Sequence, residues 1–165
     1  LQATQFILTI NLNLKARRCL IAPFFMFYTE IINNLRKETK DVILFHSATG
    51  KDSIMLLDLL SKKFDTVHCV FMYLVKDLDY ENRYIAWAKK RYSNIEFHQT
   101  PHYALYSFIK HGYLGIKKDS TQSKTTIRKI DERFKEKLNI EWSVYGFKKN
   151  DGITRRLMLN DYKDG

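Results

Sequence analysis

The sequence predicts an α/β fold, a doubly wound and mostly parallel sheet with flanking helices. Two observations carry this expectation. Strand-like and helix-like segments alternate from residue 42 to about 100, the pattern of βαβ units. Within that stretch, Thr66–Leu74 is dense in β-branched and aromatic residues and nearly continuous in apolarity. Such a run suits a strand buried on both faces, hence a parallel sheet. At 165 residues the chain has the size of one domain with a substantial core.

Each element has its own justification. Phe27 to Glu38 reads as an amphipathic helix with Ile31, Ile32 and Leu35 on one side. Asp41 breaks into a first strand, Val42–His46, and Asp52–Lys62 is the helix after the next loop. Thr66–Leu74 is the second strand. Asp79–Tyr92 is a helix whose buried stripe is Tyr84, Ile85 and Ala88. Ile95–Gln99 is a short third strand ending at Thr100-Pro101. His102–Lys110 reads as a helix and Lys124–Leu138 as a longer, heavily charged one. Between them, Gly112–Ser123 has the composition of a mobile loop. Trp142–Phe147 is a fourth strand, and Gly152–Leu159 is helical again.

The ends are less regular. Residues 1–25 hold two short apolar runs split by Lys15-Ala-Arg-Arg18, with no small-residue cleavage site. That is not the order of a signal peptide. The expectation is that Met26 is near the natural start or that residues 1–25 are an N-terminal extension, with one domain over 26–165 that stops without a clear ending. No stretch approaches ~20 uninterrupted apolar residues, so no transmembrane helix and no membrane partner are expected. Two cysteines, Cys19 and Cys69, form no Cys-x-x-Cys pair. Cys69 lies in an apolar run and reads as a buried thiol, and the usage suits a reducing cytoplasm. The net charge of +10 points to anionic partners, whether nucleotide, nucleic acid or acidic surface, although much of it falls on helix faces such as Lys89-Lys90-Arg91.

Two segments carry chemistry. In the first, the apolar run Val42–His46 ends in Ser47-Ala-Thr-Gly-Lys-Asp-Ser53, and a helical pattern follows at once. A helix amino terminus offers unpaired N–H groups and the positive end of the dipole. A glycine there permits close backbone approach and a lysine adds charge, so phosphate is the expected anion. The alternative is an ordinary strand-to-helix connection with Asp52 or Ser53 as N-cap. A Walker A loop is excluded, because Phe45 stands where its first glycine belongs and Asp52 follows Lys51. The second segment is Tyr145-Gly-Phe-Lys-Lys-Asn-Asp-Gly-Ile-Thr-Arg-Arg156, lysines and arginines around two glycines after a strand. Arginine grips phosphate or sulfate through a planar fork, and lysine adds a mobile point charge. A solvated basic loop is the alternative reading.

Gly50, Lys51, Asp52 and Ser53 resemble the second half of the PP-loop, Ser-Gly-Gly-x-Asp-Ser, of ATP pyrophosphatases and phosphoadenylyl-sulfate (PAPS) reductases. Ala48 and Thr49 depart from its first half, where Ser47 and Thr49 supply hydroxyls instead. Gly146-Phe-Lys148, Asp151 and Arg155 or Arg156 are similar to the family's late Gly-x-Arg segment with its acidic residue and further arginine, with Lys148 in place of arginine. The resemblance runs from about Val42 to Leu159 and extends to phage-encoded, PAPS-reductase-like members. It implies an adenine nucleotide α-hydrolase-like, Rossmann-type fold, with ATP or PAPS as ligand and Mg²⁺ beside ATP. It implies phosphate binding by Ser47, Thr49, Gly50, Lys51, Asp52, Ser53, Lys148, Arg155 and Arg156. Lys51 and Asp52 are the catalytic candidates, the first neutralising developing charge, the second orienting the loop or holding Mg²⁺. The reaction is adenylyl transfer or sulfur chemistry. The family's reducing Glu-Cys-Gly-like motif does not occur up to Gly165, as no cysteine follows Cys69: either that segment lies beyond Gly165 or this member reduces nothing.

Further residues have two readings each. His46 at the strand end contacts phosphate or, by the favoured reading, packs and hydrogen-bonds. Asp77, Asp79 and Glu81 serve ribose or Mg²⁺, or Asp79 caps a helix. His98 and His102, beside Pro101 and Tyr103, follow a metal-like spacing with no Cys or carboxylate partner nearby, so no metal is assigned. The competing functional classes are a PP-loop enzyme modifying tRNA or DNA, and a non-catalytic nucleotide-binding relative.

Overall fold

The computed structural model describes residues 21–48, 50–106 and 125–146. Its elements run α1 (Ile21–Glu38), β1 (Asp41–His46), α2 (Lys51–Ser61), β2 (Thr66–Tyr73), α3 (Asp79–Arg91), β3 (Ile95–Pro101), α4 (Ile127–Leu138) and β4 (Ser143–Tyr145), with residues 103–106 also helical. The four strands form one parallel sheet in the order β3-β2-β1-β4. This is the α/β architecture expected from the alternating pattern.

Alternation along each strand sends side chains to two separate cores. On one face Val42, Leu44, Val67, Cys69, Ile95 and Val144 pack against Ile32 and Leu35 of α1, Leu56, Leu57 and Leu60 of α2, and Ala88 of α3. On the other, Ile43, Phe45, Val70 and Tyr145 pack against Ile130 and Phe134 of α4. Helices therefore cover both faces, and strands buried on both sides read as unbroken apolar runs.

The ends of elements follow local chemistry. Thr126 caps α4, its Oγ1 accepting from the Lys129 N–H at 3.3 Å, so the helix starts at Ile127. Asn139 closes α4 at φ 55°, a left-handed conformation that asparagine tolerates. Strand β3 continues through Pro101, beyond the expected Gln99. The His102 N–H donates to the Tyr73 carbonyl at 2.9 Å, so the preceding Pro101 directs its missing N–H away from β2, toward the side of β3 that is an edge among the described residues. Asp79 does not cap α3. Leu78 holds the cap position without a side-chain bond, and Asp79 is the first helical residue, paired with Arg83 at 3.1 Å. Helix α1 extends upstream of Phe27 to Ile21, taking in Pro23 near its start, where a missing N–H costs little. Residues 21–25 form the first turn of this helix. The expected loop at Gly112–Ser123 and the helix at Gly152–Leu159 lie outside the described residues.

Topology positions the site. The chain steps from β1 through α2 to β2 and through α3 to β3, then returns along the opposite face to place β4 on the other side of β1. The strand order reverses between β1 and β4, and in open parallel sheets ligands bind beyond the carboxyl ends of strands at such a point.

Candidate functional site

A cleft of about 920 Å³ opens at that edge, large enough for a nucleotide-sized ligand. Ser47, Ala48, Gly50, Asp52 and Ser53 from the β1–α2 connection line it, with Tyr145 and Gly146 from the end of β4.

The β1–α2 loop is tight. The Gly50 N–H donates to the Ser47 carbonyl at 3.3 Å, and the Ile54 N–H returns to the Gly50 carbonyl at 3.0 Å, starting the helix. Gly50 is the N-cap, with no side chain to cap the first turn. Neither Asp52 nor Ser53 takes that place. Its φ of −85° suits any residue, so the glycine is there for space. A Cβ on Gly50 would lie 3.0 Å from Ser53 Oγ and 3.4 Å from Ser47 Cβ. Two hydroxyl-bearing side chains thus close over a backbone that has none of its own. Asp52 sits in the first turn, where the helix dipole favours negative charge.

Gly146 meets the same turn from the other side. A Cβ there would lie 3.4 Å from the Ser53 amide nitrogen and from Leu56 Cδ1, and 3.5 Å from the Asp52 carbonyl carbon. Gly146, the residue after β4, therefore lies against the amino terminus of α2. Lys51 begins α2 as an exposed residue outside the cleft lining. Thr49, Lys148, Arg155 and Arg156 lie outside the described residues, as does Asp151.

Aromatic packing stiffens the floor. Phe45 and Tyr145 stack with ring centroids 4.6 Å apart, fixing β1 to β4 below the cleft. His46 is buried, stacked on Tyr84 at 5.4 Å and edge-on to Phe97 at 5.9 Å, and its Nε2 lies 2.7 Å from the Tyr84 hydroxyl. Burial pushes its pKa down to about 4, with the Ser53 backbone pulling slightly upward. The imidazole is therefore neutral at physiological pH. Burial also pushes the Tyr84 hydroxyl up to about 12, so it stays protonated and can donate to Nε2.

The β2–α3 connection forms the far wall. Leu74, Val75 and Leu78 are exposed apolar side chains lining the cleft, joined by Tyr80 and Tyr103. Glu81 lines it too and accepts from the Tyr80 hydroxyl at 3.1 Å. Asp77 takes the left-handed conformation at φ 61° in the turn leading there. His102 reaches the wall, its Nδ1 accepting from the Ala104 N–H at 3.1 Å. Sequence reasoning missed the Phe45–Tyr145 stack, the Tyr84 partner of His46 and the apolar wall. The first two depend on strand order and helix placement. The wall carried a signal, the apolar Leu74-Val75 continuing past the strand end.

Among the described residues no helix is long and apolar enough to cross a membrane. The fold and site define an α/β protein with a cleft at the switch point of a parallel sheet. Comparison of the chain with family models, with curated proteins and with solved structures gives no match.

Proposed function

We propose that the cleft binds an adenine nucleotide, ATP or PAPS, with its phosphates at the amino terminus of α2 and its base toward Leu74, Val75 and Leu78. The observation that carries this reading is the approach of Gly146 to the first turn of α2. It supports a common role for two segments that resemble the two phosphate-binding segments of the PP-loop family. The backbone of Gly50–Ser53 cradles phosphate, the Ser47 and Ser53 hydroxyls donate to it, and Lys51, Lys148, Arg155 and Arg156 supply positive charge. Asp52 and Glu81 line the same cleft, and carboxylates are the hard oxygen donors that Mg²⁺ takes beside nucleotide phosphates. Bound there, Mg²⁺ supplies charge neutralisation.

The chemistry that fits is adenylyl transfer, with positioning and electrostatics supplying most of the catalysis. Cys69 is a poor candidate for sulfur reduction, being buried with its thiol pushed up to about 12. Its unpaired state suits a cytoplasmic enzyme. Calorimetry with ATP, PAPS and AMP at low salt tests the reading. A folded sample that binds none of them refutes it. The net charge of +10 favours a second reading in which the acceptor is a nucleic acid. RNA or DNA binding that weakens steeply with salt supports it, and salt-insensitive or absent binding removes it.

A further inference from the structure

The pairing of β2 with β3 assembles a cluster away from the cleft. His68 stands directly opposite Glu96, and His98 is opposite Val70, two residues along. All three side chains therefore project from one face of the sheet, as cross-strand and diagonal neighbours. His68 Nδ1 lies 3.1 Å from His98 Nε2 and 3.3 Å from a Glu96 carboxylate oxygen, and that oxygen is 3.9 Å from His98 Nε2. Against the expectation that His98 has no carboxylate nearby, Glu96 stands two residues before it on the same strand, and the second imidazole comes from β2. His102 takes no part in the cluster.

We propose that His68, Glu96 and His98 form a zinc-binding site with an open fourth position. The distances carry it. Zinc bonds of about 2.0–2.1 Å in tetrahedral geometry place neighbouring donor atoms roughly 3.3–3.4 Å apart. Two of the three separations already lie near that value. The third closes by about 0.5 Å if Glu96 swings inward, and its side chain is 60% exposed and free to do so. An imidazole N–H can bridge two of the three atoms as a hydrogen bond, whereas one zinc ion engages all three at once. Two imidazoles and one carboxylate are a donor set that zinc takes with water in the remaining position.

The surroundings fit a half-shielded site. The His98 and Phe134 rings are 5.8 Å apart, giving an apolar wall on the α4 side. The two histidine side chains are only 12% and 18% exposed, so they are held in place. Lys137 works against a cation, its ammonium lying over the Phe134 ring near His98. The site joins β2 to β3, an edge strand among the described residues, so bound zinc would tie that edge to the sheet.

The test uses the full chain stripped by chelator and titrated with ZnCl₂ by calorimetry, then with Co²⁺ by visible absorption. The expected result is one Zn²⁺ per chain at micromolar Kd or tighter, an upward shift in melting temperature, and Co²⁺ bands of a four- or five-coordinate ion. His68→Ala and His98→Ala weaken binding at least about tenfold, and His102→Ala leaves it unchanged. Glu96→Gln alters an exposed side chain, leaves folding intact and decides the matter if a histidine variant does not fold. It too weakens binding about tenfold. Wild-type binding no tighter than about 0.1 mM, binding that survives Glu96→Gln, or binding lost in His102→Ala overturns the proposal. The outcome is independent of nucleotide binding, because no residue of the trio lines the cleft.

Discussion

Replacing Gly50 with alanine separates the loop's role in folding from its role in binding. The backbone at φ −85° and ψ 105° accepts alanine without strain. Reduced freedom of the unfolded chain stabilises such a replacement by about 0.4–1 kcal/mol. Against this, the new methyl meets Ser53 Oγ at 3.0 Å and Ser47 Cβ at 3.4 Å. The closer contact is the end of a rotatable side chain, so the serine turns away at modest cost. The two effects nearly offset, and the melting temperature stays within about 4 °C of wild type, the equivalent of roughly 1 kcal/mol at this chain length. Binding suffers more. Ser53 no longer presents its hydroxyl to phosphate, a charge-assisted hydrogen bond contributing about 1.5–3 kcal/mol. The dissociation constant for ATP or PAPS therefore rises about 10- to 150-fold. Calorimetry and thermal unfolding on the same samples read both quantities. An affinity within about threefold of wild type refutes the cradle. A melting temperature lower by more than about 8 °C refutes the claim that the glycine serves binding rather than folding.

Three further outcomes follow from buried groups. Asp131 is fully buried, hydrogen-bonded to the Ser143 hydroxyl and 3.3 Å from Lys135 Nζ. Asp131→Ala strands that ammonium and should lower stability by about 3–5 kcal/mol in urea unfolding, and a loss under about 1 kcal/mol would show the pair to be immaterial. His46 has its pKa lowered by burial from 6.5 to about 4. The unfolded state therefore takes up a proton first, so His46's contribution is fully present above pH 6.5 and is lost as pH falls toward 4, by on the order of 3 kcal/mol. His46→Phe should flatten stability across that window, and an unchanged slope there would place the titration elsewhere. Leu57, wholly buried between α2 and the sheet, should cost about 2–5 kcal/mol as alanine, read by chemical denaturation, and a change below about 1 kcal/mol would contradict its place in the core.

How much was legible in the sequence depends on the range of the interactions involved. The strand, loop and helix from Val42 to Ser61 could be read directly, because apolar runs, a glycine and helical periodicity are local signals. The parallel arrangement was legible for the same reason: β2 is apolar on both sides because helices cover both faces. Boundaries slipped where a partner set them. Pairing with Met72 and Tyr73 of β2, together with the bond from His102 to Tyr73, carries β3 through a proline, and the backbone places Leu78, not Asp79, at the cap of α3.

By itself the sequence determined the fold class, the loop at Ser47–Ser53 and the net charge of +10. Each follows from residues adjacent in the chain, whose preferences do not depend on what lies across the sheet. Tertiary structure decided the strand order, and with it the meeting of Gly146 with the first turn of α2. It also decided that His46 is neutral, and that His68 faces Glu96 and His98. Those outcomes require chain segments between 25 and 100 residues apart, as Asp41 is from Thr66 and Ile43 from Ser143, to be brought to ångström distances, and register between strands, rather than spacing along one, is what does so.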